Sequence, residues 1–338
     1  MEIRYREPLQ RSWLRAKGML FGPFNLELWF IVGFTAWLAR LWDGSIWGGD
    51  GGLRWDMNNG DHRFGGLVGP GVEKIINALG HPLEFFVAMM LLMLFLAIAV
   101  AVAWVGSRGA FMFYDNVAWK HGRVSDPWQR LGRLGDSLFL WRVGTQLLAG
   151  LLALALILPI LVLIAPAVAV GGIFAGLGVA GALLTGLAGL SLGLTVAFVG
   201  FCTDQFVVPL MHRYDEGVLA AWERFLPLLR ARPLAFVLMA LAYLVVWMVV
   251  SVIVFAAGAV TCCALFLVLS IPFVGTVVLL PVHVTLRAFG PEFLVQFGVA
   301  YDCWPSAGAA DPIELGPGTE TSSENDDSEE DMDGPQGR

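Results

Sequence analysis

The sequence predicts an all-α, polytopic integral membrane protein with six transmembrane helices arranged as three repeated hairpins, each preceded by a cytoplasmic interfacial amphipathic helix. Three observations lead there. First, only 14% of the 338 residues are charged while 57% are hydrophobic, with a mean hydropathy of +0.71. A soluble domain carries about 25% charged residues, so the deficit makes lipid the solvent. Second, no Asp, Glu, Lys or Arg occurs between Arg142 and Asp204, nor between Arg232 and Arg287. One spanning helix needs about 20 apolar residues, so each stretch holds two spans and a turn. The runs lack the alternation of a barrel strand, and only helices or closed barrels satisfy backbone groups in hydrocarbon. Third, a Trp-x-Arg segment recurs before each predicted hairpin, at Trp13–Arg15, Trp128–Arg130 and Trp222–Arg224.

The elements follow in chain order. Residues 1–23 are a basic cytoplasmic segment with Arg4, Arg6, Arg11, Arg15 and Lys17, and the membrane domain covers residues 24–300. The first span, about residues 24–41, is too long for a cleaved signal core and lacks a small-residue cleavage site. The connection 42–80 is Gly-rich and carries Trp42, Trp47 and Trp55, which suit a membrane–water boundary. Asp56, Asn58 and Asp61 resemble the start of a calcium loop, but the closing acid at the twelfth position is missing. A solvated turn is the better reading. Val72 to Leu79 forms a short interfacial helix.

The second span covers about 83–105, and the polar island Arg108–Arg142 follows it. Spans three and four cover about 138–164 and 180–208, parted by Pro166 and Gly171-Gly172. Span four carries small residues at four-residue spacing, Ala182/Gly186 and Gly189/Gly193 among them, which predicts close packing on a neighbouring helix of the same chain. Spans five and six cover about 234–257 and 264–286, the sixth interrupted by Pro272, Gly275 and Pro281. Residues 306–338 hold too little apolar material to pack and are expected to be a disordered cytoplasmic tail.

The repeat supplies anchors and orientation. Val218, Leu219, Trp222, Phe225, Leu226 and Leu229 share one helical face, and Val124, Trp128, Leu131 and Leu134 share another. The expected role is an amphipathic helix at the headgroup layer, with Trp13, Trp128 and Trp222 as anchors and Arg15, Arg130 and Arg224 on lipid phosphate. Basic residues crowd the amino terminus, the 106–142 island and the 209–232 island, while the short turns between spans have none. The positive-inside rule therefore puts all three islands and both termini in the cytoplasm. The net charge of −7 belongs to the tail, because residues 311–338 hold ten acids and one base. The remainder is close to neutral.

Chemistry is sparse. Glu27, Glu84, Arg142, Asp204 and His283 are the ionisable groups nearest membrane depth, and most lie close to a predicted surface where they can pair or snorkel. No acid sits at mid-membrane to relay protons. The histidines show no metal-ligand spacing, the cysteines no C-x-x-C, and there is no Walker loop or nucleophile elbow. Neither a metal nor another cofactor is expected. Asp115, Asn116 and His121, with Asp204 in the second island, form the one speculative polar site. Nucleic-acid binding has no support, because the basic residues sit at membrane boundaries.

The segments RGAFMFYDNVAWKHGRVSDPW (Arg108–Trp128) and DQFVVPLMHRYDEGVLAAWERF (Asp204–Phe225) resemble an uncharacterised family of bacterial multi-pass membrane proteins of unknown function. The repeated layout is more distantly similar to the membrane domain of bacterial glycerophosphodiester phosphodiesterases. The resemblance implies a bacterial inner membrane and six spans, and carries over no catalytic residue. The expected role is a non-enzymatic scaffold or accessory membrane subunit, whose partners are membrane lipids and proteins docking on the acidic tail. A transporter or lipid-handling protein is the alternative, and a polar cavity holding Asp204 or Gln146 would mark it.

Overall fold

The structure, a computed structural model, describes residues 4–22, 24–42, 82–159, 173–261, 264–271 and 273–305. Every regular element among them is helical. The 43–81 connection with its Asp56–Asn58–Asp61 cluster and Val72–Leu79 helix, the 160–172 turn, Cys262-Cys263 and the 306–338 tail lie outside the described residues.

Helix α1, Arg6–Phe21, buries Pro8, Ser12, Ala16, Met19 and Leu20, a stripe at four-residue spacing. Helix α2, Leu26–Arg40, starts at Asn25, whose side chain accepts from the Glu27 amide at 2.9 Å. Its 15 residues reach about 22 Å, short of the roughly 30 Å hydrocarbon core. Helix α3, Pro82–Trp119, has 38 residues and reaches about 57 Å. The predicted second span is only its first part. No Pro interrupts the Phe111–Trp119 stretch, so the helix runs on through half of the polar island until Lys120 turns left-handed at φ 56°.

Helix α2 pairs mainly with the second half of α3, beyond most of the predicted second span. Gly109 meets Leu38 and Ala39, and Gly106 meets Leu41 and Trp42. Lower down, Asn116 Nδ2 donates to Thr35 Oγ1 at 3.4 Å, and Gly122 lies against Leu28 and Ile31. Helix α2 thus runs antiparallel beside residues 102–122, with only Val102 and Val105 of the predicted second span packed against its Leu38–Leu41 end. The reason is steric: the two glycines that let the backbones meet stand in the second half of α3.

Helix α4, Ser125–Arg130, is a single short stretch that leads into α5, Gly132–Pro159. Helix α6, Ile173–Cys202, continues through a π-helical turn, Thr203–Val207, into α7, Val208–Tyr214, which ends at Asp215 with φ 50°. Helix α8, Val218–Ala231, and α9, Pro233–Val260, follow. The predicted sixth span is three pieces: α10 Ala264–Ser270, α11 Val274–Val278 and α12 Leu280–Leu294. Phe273 at φ 72° marks the first break, across which a Cβ on Gly275 would lie 2.5 Å from the Leu269 carbonyl oxygen, and Leu279 marks the second. Unlike a lipid-facing span, α12 is buried at every residue from Val284 to Leu294.

Four runs among the described residues are long and apolar enough to cross a membrane: Phe85–Trp119, Gly132–Leu158, Gly178–Tyr214 and Pro233–Val260. Their most apolar windows are 0%, 6%, 0% and 6% buried by the rest of the chain. Most of the buried core lies at the other, polar end. There Phe206 stacks on Phe225 at 5.2 Å and meets Phe236 edge-on at 5.1 Å, while Phe236 meets Phe293 at 5.7 Å. The small-residue stripe of α6 stays outside this core. A Cβ placed on Gly186, Gly189 or Gly193 would meet nothing within 4 Å, so the expected intrachain partner is not there among the described residues.

Candidate functional site

The last turns of α3 place Asp115 and Asn116 at full burial, 0% exposed each. Asn116 ties down the chain that leaves the helix. Its Nδ2 donates to the Arg123 carbonyl at 3.0 Å, and its Oδ1 accepts from the Arg123 amide at 3.0 Å. The same oxygen lies 2.8 Å from His121 Nδ1, which makes Nδ1 the hydrogen-bearing nitrogen and turns Nε2 towards Asp115. That contact, Nε2 to Oδ2, is 3.6 Å.

Asp115 collects the neighbouring elements. Oδ1 accepts from Arg130 Nη2 at 2.8 Å, from α4, and lies 2.7 Å from His212 Nε2, on α7. The His212 ring also stands edge-on to Tyr114 at 5.1 Å. One buried carboxylate therefore links α3, α4 and α7, with Arg130 as its permanent counter-charge and two imidazoles beside it. A buried charge needs such partners to be tolerated at all. Three of the four residues of the predicted polar site thus come together.

Asp204 does not join them. It pairs with Arg142 of α5, whose Nη1 also reaches Ser107 Oγ at 3.4 Å. Asp204 sits in the π-helical turn, where the extra residue releases backbone carbonyls from the ladder. Its carbonyl accepts from Arg287 Nη1 at 2.8 Å, and Arg287 Nη2 donates to the Ala110 carbonyl at 3.1 Å. This second cluster fastens α3, α5, α12 and the turn. Among the described residues no three His, Cys, Asp or Glu side chains stand where they could share a metal ion.

The three Trp-x-Arg pairs behave differently from free interfacial anchors. Trp13 is exposed at 47%. Trp128 instead packs edge-on to Trp104 at 5.8 Å, and Trp222 packs on Trp141 at 5.7 Å. Each arginine meets a carboxylate of the same chain: Arg15 with Glu292 at 3.4 Å, Arg130 with Asp115 at 2.8 Å and Arg224 with Glu216 at 2.6 Å. Each guanidinium expected on lipid phosphate thus has a carboxylate partner within the chain, the Arg224–Glu216 pair being partly exposed.

A family model for a family of unknown function, DUF7544, matches residues 7–302. The chain belongs to the DUF7544 family. No curated protein and no solved structure matches it, and the more distant likeness to the phosphodiesterase membrane domain finds no counterpart in these comparisons. The DUF7544 match includes all three Trp-x-Arg pairs and both carboxylate clusters, and it stops before the acidic tail.

Two features of this DUF7544 chain escaped the sequence reading. His212 has no spacing that ties it to Asp115, since 97 residues separate them. The Tyr-Asp dipeptides were legible: Tyr114-Asp115, Tyr214-Asp215 and Tyr301-Asp302 use three of the five tyrosines. All three phenols donate to backbone carbonyls, Tyr114 to Cys303 at 2.9 Å, Tyr214 to Ala300 at 2.7 Å and Tyr301 to Arg224 at 3.4 Å. They pin the carboxy-terminal segment to the helix ends.

Glu292, beyond the predicted sixth span, gives the DUF7544 chain a pH-dependent contact. Burial pushes its carboxyl above the ordinary range, and Arg15, whose guanidinium also covers Trp304 at 3.6 Å, opposes that rise. A carboxyl that holds its proton more tightly when folded favours the fold at low pH, and that contribution is lost as pH rises through its folded value. Glu292→Gln should remove this dependence. Thermal unfolding of both proteins across roughly pH 4–7 checks it: the wild type gains on the variant as pH falls, and parallel curves would refute the assignment.

Proposed function

We propose that the DUF7544 protein is an integral membrane protein of the bacterial cytoplasmic (inner) membrane that serves as a non-enzymatic scaffold or accessory subunit. One observation carries this reading. The apolar windows of α3, α5, α6 and α9 are almost uncovered by the chain itself, while the buried polar groups at the other end hold helices together. Such helices offer their walls to lipid and to helices of other subunits. Helix α2 and the α10–α12 series stand as shortened counterparts of spans one and six, which keeps three membrane hairpins in the layout. Four or six crossings both put the two termini on one side, and the basic islands make that side cytoplasmic. The acidic tail is then a cytoplasmic docking segment.

The three arginine–carboxylate pairs fit a threefold repeat. Arg130 of the second unit meets Asp115 at the end of the first, and Arg224 of the third meets Glu216 at the end of the second. Arg15 of the first meets Glu292 at the end of the third. The ring closes on itself.

A transporter is less favoured. Asp204 is consumed by Arg142, and Gln146 lies on an exposed face of α5, so neither lines a polar cavity between hairpins. The scaffold reading is tested by purifying the full chain in mild detergent. A stoichiometric partner, lost or weakened on deletion of residues 311–338, is the expected result. A chain that purifies alone with and without the tail would overturn it.

A further inference from the structure

A groove of about 640 Å³ runs along α3 beside α5, lined by Met93, Leu96, Ala97, Val100, Trp104 and Phe139. It is an open furrow between the two helices and not an enclosed cavity. From Met93 to Trp104 the wall rises about 16 Å at 1.5 Å per residue. That is close to one leaflet, half of a hydrocarbon core of about 30 Å. The groove therefore has the reach of a single acyl chain standing upright in one leaflet.

Its lower end is polar. Trp104 Nε1 donates to Asp136 Oδ1 at 2.8 Å. Arg108 Nε and Nη2 donate to the same oxygen at 3.1 and 3.0 Å, and Nη2 also reaches Oδ2 at 2.9 Å. Three bonds thus fall on Oδ1 and one on Oδ2, and the Asp136 side chain is 47% exposed. Its second oxygen keeps acceptor capacity towards the outside. Arg108 Nη1 takes part in none of these bonds. Trp104 and Trp128 cover the guanidinium at 4.3 and 5.2 Å. The Arg108 side chain is 17% exposed against 47% for Asp136, so the rim offers a partly covered guanidinium nitrogen beside an open carboxylate oxygen, with an indole at the apolar boundary.

We propose that this groove binds one phospholipid bearing a primary ammonium head, its acyl chain along Met93–Val100, its phosphate at Arg108 Nη1 and its ammonium at Asp136 Oδ2. The inference rests on the membrane reading above and names a ligand for it. Zwitterionic rim and zwitterionic head are complementary, and charge-assisted hydrogen bonds of this kind exceed neutral ones in strength. A choline head has no N–H to donate, and a glycerol head has no cation. Both should be disfavoured.

The test uses the full chain purified in mild detergent, loaded in nanodiscs containing equal parts phosphatidylethanolamine, phosphatidylcholine and phosphatidylglycerol. Lipid that survives re-extraction is counted by native mass spectrometry. One phosphatidylethanolamine per chain is the expected result. Asp136→Asn should abolish the head preference, a change of about tenfold. Ala97→Phe, which fills the groove wall, should remove the lipid altogether. Leu94→Phe, exposed but outside the groove, should retain it, which controls for folding. Equal retention of the three lipids, or identical behaviour of Ala97→Phe and Leu94→Phe, would overturn the proposal. So would a photocrosslinker at position 97 that captures protein and no lipid. Alkaline carbonate extraction separates the two readings. A chain released by carbonate defeats the membrane assignment, and this proposal with it. A chain that stays but shows no head preference defeats this proposal alone.

Discussion

Asp115→Ala is expected to destabilise the protein by about 3–5 kcal/mol, the range for breaking a buried ion pair from one side. The carboxylate is fully buried and serves Arg130 and His212 directly, with His121 Nε2 at 3.6 Å. Its removal takes away the oxygen that Arg130 and His212 share, leaving the His212 imidazole without its acceptor and Arg130 with only the more distant Asp126 at 3.7 Å. Asp115→Asn keeps an acceptor oxygen but not the charge, and should fall between wild type and Asp115→Ala. Arg130→Met should cost less than Asp115→Ala, because Arg130 is about one-third exposed and Asp115 keeps His212. Thermal unfolding in detergent, followed by tryptophan fluorescence, gives the order. An Asp115→Ala protein as stable as wild type would show that the cluster holds nothing together.

Gly290→Ala should be the most damaging glycine-to-alanine change among the described residues. A Cβ there would lie 2.2 Å from the Gln205 carbonyl oxygen and 2.9 Å from its carbonyl carbon. Both atoms belong to the π-helical turn, so no side-chain rotation relieves the clash and α12 must move off. Overpacking costs about 1–3 kcal/mol and more where backbone is the obstacle. Gly109→Ala meets the Leu38 carbonyl carbon at 2.7 Å and should dislodge α2 in the same way. Gly189→Ala meets nothing within 4 Å and should change stability by no more than about 1 kcal/mol, in the stabilising direction. Melting temperatures of the three variants against wild type decide this, and a Gly189→Ala as harmful as Gly290→Ala would sink it.

The membrane-like class was legible because two runs without a charge are each too long for one helix and too apolar for water. The third Trp-x-Arg segment was legible as a helix from its Trp, Leu and Val spacing, and α8 falls close to where that spacing puts it. Three things were not. The height of α2 against α3 depends on where backbones can meet, and Gly106 and Gly109 looked like any glycines near a helix end. The arginine partners are set by tertiary packing: Arg15 and Glu292 are 277 positions apart. The breaks in the sixth span showed as Pro272 and Gly275, but proline and glycine signal a break without saying that α12 turns inward. In the site, Asp115, Asn116 and His121 were legible as a polar group within seven residues, while nothing in the sequence pointed to Arg130 as a partner of Asp115. Its motif partner Trp128 shows why. A tryptophan on a helix face packs equally well on a headgroup layer or on another tryptophan, and only the fold decides which.

The Arg15–Glu292 contact makes the last-made helix the docking surface of the first. Helix α1 packs its buried stripe on α12, and Tyr5 stacks on Phe293 at 5.9 Å. At translation rates of about 5–20 residues per second, the amino-terminal helix waits on the order of tens of seconds for that surface to be synthesised. Until then its buried stripe and Arg15 lack their partners on α12. A chain ending before residue 287 would leave that stripe bare, because the surface that covers it would never be made.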